Sequence, residues 1–108
     1  MNDKRRIVLK KLIKQLAELY QQLEELKSDS QEISAALEEI RYEEEESYDN
    51  LPESLQESEK GEGIQEHIES LESAIEEVDN IDIEEALNYI EMAIDYINEA
   101  IVKDKAAQ

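Results

Sequence analysis

Cysteine, tryptophan and phenylalanine are all missing from this 108-residue chain, which has only one proline, two glycines and one histidine. Without cysteine there can be neither disulfides nor thiolate metal sites, and the redox compartment is left open. With five tyrosines as the only aromatic residues, a core has to be built from Leu, Ile, Val and Ala. No apolar run exceeds three residues (Ile7-Val8-Leu9 is typical), so no segment has the length to cross a bilayer. Lys4, Arg5 and Arg6 open the chain, but Lys10, Lys11 and Lys14 break up the apolar residues after them, which does not fit a signal peptide. A cytoplasmic location is the expectation. The inventory for catalysis is equally thin. There is no glycine-rich phosphate loop, no Asp-x-Asp-x-Asp-Gly calcium loop, and no Glu-x-x-His pair, since Ile64 stands three before His67. A solvated or salt-bridging His67 is the simpler expectation, and no enzyme activity, metal or cofactor is predicted.

Basic residues are scarce as well: 11 against 30 acidic ones, for a net charge of −19. Residues 1–27 carry seven basic and four acidic side chains, a net of +3. Residues 28–102 carry two basic and twenty-five acidic ones, a net of −23. So strongly acidic a body is not expected to bind nucleic-acid phosphates directly.

What the chain does have is helical periodicity. Leu9, Leu12, Leu16, Leu19, Leu23, Leu26, Ser30, Ile33, Leu37 and Ile40 keep a 3-4-3-4 spacing without a slip. That is the a/d seam of a coiled coil, with helix-favouring Glu, Gln, Lys and Ala between. One helix is predicted over 3–48, about 69 Å long at 1.5 Å per residue. The proline and both glycines then cluster in SYDNLPESLQESEKGEG, residues 47–63. Pro52 disfavours helix at the residue before it, and each glycine costs about 1 kcal/mol inside a helix. A tip over 49–62 is therefore predicted, with PESLQES as a short helical turn.

The period then returns. Ile64, Ile68, Leu71, Ile75 and Val78 form one seam, and Ile83, Leu87, Ile90, Ile94, Ile97 and Ile101 another. The five-residue step between them rotates the apolar face by about 100°. Asp82 with Glu85 three later has the look of a helix N-cap. The return arm is thus expected to kink or split near 79–82, giving helices 63–79 and 82–103. The fold class predicted is all-α: one helical-hairpin domain over 1–108 with paired positions adding to about 110. Breaks at both Ser28–Ser30 and 79–82 would instead give four shorter helices.

The apolar face is wider than a two-helix seam requires. Ile13 and Tyr20 fall at e, Val8 and Ala36 at g, and Ala86, Ala93 and Ala100 repeat at g in the last helix. A wide face needs further helices to cover it, most simply those of a second copy in a four-helix bundle. A homodimer that self-associates through these seam residues is the expectation, with the alanine row a candidate for its close-packed face. Tyr89 and Tyr96, seven apart, belong either to this packing or to a partner-binding stripe.

Three functions suit this pattern. The first is a protein-binding module, whose candidate contact region is the acidic stretch Glu38, Glu39, Glu43, Glu44, Glu45, Glu46, Asp49, Glu53, Glu57 and Glu59, with Tyr42 and Tyr48. The second is a nucleic-acid mimic that fills the basic groove of a DNA- or RNA-binding protein. Residues 28–78 carry a net of −16 along about 35 Å of hairpin, one charge per about 2.2 Å against about 1.7 Å in duplex DNA. The third uses KRRIVLKKLIK as a cationic amphipathic end for lipid or nucleic acid. Its seam leucines and the acidic body argue instead for pairing with acids such as Asp95 and Glu99 on the return arm. A structural coiled-coil scaffold is the plainest alternative to all three.

EEEESYDNLPESLQESEKGE, Glu43 to Glu62, resembles a segment of small uncharacterised helical proteins of Firmicutes and their phages. There a Glu-rich helix end precedes "DN-P-SLQ-S-(R/K)-GE" and a second acidic helix. The likeness extends more loosely to about Leu87. It implies a bacterial or phage origin, and the family carries no activity or functional residues to transfer. Phages encode small acidic proteins that block host nucleases or defence systems, some by imitating DNA. By that analogy the expected role is a phage or mobile-element inhibitor of a host protein.

Overall fold

The computed structural model describes residues 2–107, with side chains to residue 103. Its four elements are all helices: α1 (Asp3–Asp49), α2 (Glu53–Gln56), α3 (Glu59–Asp79) and α4 (Ile83–Ala107). The chain is an all-α helical hairpin in which α1 packs against both α3 and α4. α1 runs unbroken through Ser28-Asp29-Ser30, so the four-short-helix alternative does not hold. Only the return arm divides. Its break comes at 80–82, where the Glu85 N–H donates to Asp82 Oδ1 at 3.1 Å and caps α4. Asn2 does the same for α1, accepting from the Arg5 N–H at 2.9 Å.

Two compact units make up the chain. One joins residues 1–27 to 82–108; the other is residues 28–81. In the first, Tyr20 Oη donates to Glu91 Oε1 at 2.9 Å and Lys27 pairs with Glu84. The numbers of both pairs add to 111, as an antiparallel hairpin requires. The Glu91 carboxylate accepting from it, with some burial and the charges of Glu91 and Glu24, holds the Tyr20 phenol above its ordinary pKa. In the second unit Ser34 Oγ donates to Asp79 Oδ1 at 2.7 Å, and Arg41 lies 3.9 Å from Glu72.

The packed stripe of α1 differs from the a/d seam. Leu9, Leu16, Leu23 and Leu37 are half-buried, but their neighbours on that stripe are Ile13, Tyr20, Lys27, Ser34 and Arg41. Leu12, Leu19, Leu26, Ile33 and Ile40, the d residues, are exposed. The two arms meet along one flank of the a residues and leave the other flank open. On the return arm the seam residues all turn inward: Ile75, Leu87, Ile90 and Ile101 are buried, and Ile64, Ile68, Leu71, Val78, Ile83, Ile94 and Ile97 half-buried.

The tip also departs from its sequence-based outline. α3 begins at Glu59, so Gly61 and Gly63 lie inside a helix rather than breaking one. Neither has positive φ. A Cβ on Gly61 would lie 2.1 Å from the Gln56 carbonyl oxygen and 2.7 Å from Gln56 Cα, so Gly61 is what lets α3 pass against α2. Gln56 closes the tip from its other end: its Nε2 donates to the carbonyl of Tyr48 in the last turn of α1 at 3.1 Å and to that of Leu51 just beyond it at 3.2 Å.

Candidate protein-interaction surfaces

The 54 residues from 28 to 81 hold nineteen acidic and two basic side chains, a net of −17. The first unit holds eleven acidic and nine basic ones, a net of −2. Nearly all the charge therefore sits on one unit. Within it the hairpin places the acidic residues in two groups. Arg41, half-buried in the α1 stripe, gathers Glu45 at 2.8 Å, Glu38 at 3.7 Å and Glu72 at 3.9 Å. Glu44 lies 3.8 Å from the exposed His67. These carboxylates are partly engaged within the unit. Glu39, Glu43 and Glu46 are exposed, and their spacing of four and three sets them on one outer face of α1. Asp49, Glu53, Glu57 and Glu59 are exposed around the tip.

The two tyrosines grouped with this region part company. Tyr42 is exposed on the outside of α1. Tyr48 is half-buried and lines an open cleft of about 410 Å³ with Glu45, Asp49, Gln65, Ile68, Glu69 and Glu72. Among the described residues no group of three or more is arranged to hold a metal ion.

In the first unit a set of apolar side chains is uncovered among the charged ones. Val8, Leu12, Leu19 and Leu26 on α1 are exposed, as are Tyr89, Met92 and Tyr96 on α4. Tyr89 Oη donates to Glu85 at 3.4 Å, so its ring stands away from the helix packing. Glu99, an expected partner of the basic end, pairs with Lys103 on its own helix at 2.9 Å. Among the described residues Lys27 of α1 pairs with Glu84 of α4. Sequence reasoning passes over Lys27, Ser34 and Arg41 because each is polar at an e position. Their signal is the sevenfold spacing they share with Ile13 and Tyr20.

No helix among the described residues is long and apolar enough to cross a membrane. No protein-family model matches the chain, and no curated protein or solved structure is similar to it.

Proposed function

We propose that the chain is a non-enzymatic binding protein whose acidic unit engages a basic surface of another protein, and that it serves a phage or mobile element by inhibiting a host protein in the bacterial cytoplasm. The observation that carries this is the placement of −17 on residues 28–81, beside a unit at only −2. If the charge served only to keep the protein soluble, it would not need to be gathered on one half of the chain. The protein acts as a homodimer. The phage setting rests on the likeness of residues 43–62 to small Firmicutes and phage proteins.

The same charge favours one narrower reading, a nucleic-acid mimic. Residues 28–49 of α1 rise about 33 Å, so the unit presents one net charge per about 1.9 Å, close to the about 1.7 Å of duplex DNA. A tagged pull-down from a Firmicutes lysate, washed at low and high salt, tests both. The proposal expects a basic nuclease or DNA-binding protein that is released at high salt. The Glu39→Lys/Glu43→Lys/Glu46→Lys triple variant moves the net charge from −19 to −13, two charges per reversal. It is expected to lose that partner while far-ultraviolet circular dichroism stays unchanged, because all three side chains are exposed. A partner that survives both high salt and the triple variant would place recognition on the apolar surfaces and sink the acidic-surface reading.

A further inference from the structure

One face of the first unit carries a row of uncovered leucines between Leu12 and Leu26, and the polar bridges on the other face show where it lies. Tyr20 and Lys27, four residues after Leu16 and Leu23, reach Glu91 and Glu84 from one flank of the α1 stripe. Leu12, Leu19 and Leu26, three residues after Leu9, Leu16 and Leu23, stand on the opposite flank. On α4 the same test applies. Glu84 and Glu91 precede Leu87 and Ile94 by three, whereas Ala86, Ala93 and Ala100 precede Leu87, Ile94 and Ile101 by one and fall on the other side. Both rows therefore face the same way. The bridged pairs have numbers adding to 111, and Leu12 with Ala100, Leu19 with Ala93 and Leu26 with Ala86 each add to 112. Three leucines lie level with three alanines. Tyr89 and Tyr96, 63% and 66% exposed, border the alanine row. Gln15 and Gln22 fill the gaps on α1.

We propose that this face receives a second copy of the same chain, with the leucine row of each copy seated on the alanine row of the other. The inference rests on the self-association proposed with the function and adds where it occurs. Three observations choose this occupant. The face is self-complementary: rotating a copy about an axis parallel to the helices sets large residues over small ones at matching heights, the ridge-and-groove fit of an isologous contact. Charge agrees, since that rotation lays residues 1–27, net +3, over residues 82–108, net −5. Area agrees too. The uncovered leucines and tyrosines of this face offer on the order of 550 Å² per copy, close to the about 600 Å² per partner at the lower end of specific interfaces.

Sedimentation equilibrium over a range of concentrations decides it. The wild-type chain is expected at twice its 12.5 kDa mass at micromolar concentration. Leu19→Glu on α1 and Tyr96→Glu on α4 each enter a symmetric contact twice and are expected to weaken it by about 100-fold or more. Both side chains are exposed in the single chain, so circular dichroism should show helicity retained. Ile40→Glu, equally exposed but in the −17 unit, is expected to leave the dimer intact. A dimer indifferent to Leu19→Glu and Tyr96→Glu, or equally sensitive to Ile40→Glu, would overturn this face while leaving self-association standing. A monomeric wild-type chain would overturn both and leave the face to a different protein.

Discussion

Gly61→Ala and Gly63→Ala are expected to shift stability in opposite directions, although the two glycines are two residues apart in one helix. Neither takes a backbone conformation that requires glycine, so an added methyl acts only through space and through the unfolded chain. At residue 61 the Cβ would meet the backbone of Gln56 at 2.1 to 2.7 Å, and a backbone cannot rotate away as a side-chain end can. α2 must then lift off α3, which also pulls Gln56 from the carbonyls of Tyr48 and Leu51. Overpacking plus the broken bonds should cost about 2–3 kcal/mol. At residue 63 nothing lies within 4 Å of the Cβ, so alanine gains its helix propensity and about 0.5–1 kcal/mol of stability. Thermal melts monitored by circular dichroism check the signs. At about 4–8 °C per kcal/mol, Gly61→Ala should melt about 10 °C or more below the wild type and Gly63→Ala a few degrees above it. A neutral Gly61→Ala would mean that α2 does not sit against α3.

Ile75→Ala should cost several times what Ile33→Ala costs, although both are isoleucines of the same unit at regular seam positions. Ile75 is 7% exposed and Ile33 is 54% exposed. Deleting a buried isoleucine side chain loses its transfer free energy and leaves a cavity, together about 2–4 kcal/mol. Truncating an exposed one should cost less than about 1 kcal/mol. Only Ile75, Leu87, Ile90 and Ile101 are buried apolar residues among those described, so each is a large share of a small core. Urea unfolding gives the comparison directly, as a shift in midpoint at constant slope. Equal effects at Ile33 and Ile75 would restore the ordinary a/d seam within the single chain.

That contrast marks how far the sequence can be trusted. The end of α1, the turn and a kink or split near 79–82 are legible because they depend on local chemistry: Pro52, the Asp82 cap and the five-residue step from Val78 to Ile83 all act within a few residues. Pairing near a sum of 110 is legible for the same reason, being set once the tip is located. Which flank of Leu9, Leu16 and Leu23 faces the other arm is not. Leu12 and Leu19 look better buried than Tyr20 and Lys27 until Glu91 and Glu84 arrive opposite, and nothing near them in sequence announces those partners. Gly61 misleads for a related reason. Glycine inside a helix reads as a break from propensity alone, whereas its purpose here is an approach between α2 and α3 that only the tertiary fold reveals. Among the acidic candidates, Glu38, Glu44 and Glu45 cannot be separated from Glu39, Glu43 and Glu46 until Arg41 and His67 are placed.

The hydrogen bond from Tyr20 to Glu91 gives the protein a built-in optical indicator. Lacking tryptophan, the chain owes its near-ultraviolet absorbance to its five tyrosines, and ionisation of a phenol moves that absorbance to longer wavelength. Tyr20 is the phenol held above its ordinary range, by a bond joining α1 to α4. In an alkaline titration it should therefore change colour later than an ordinary phenol, and Tyr20→Phe should remove that late step. The neutral phenol is the form the folded hairpin prefers. Its contribution to stability is whole below the unfolded phenol's pKa and fades as pH climbs through the raised one. Disappearance of the late step in denaturant would then report, without any attached dye, the moment the two helices part.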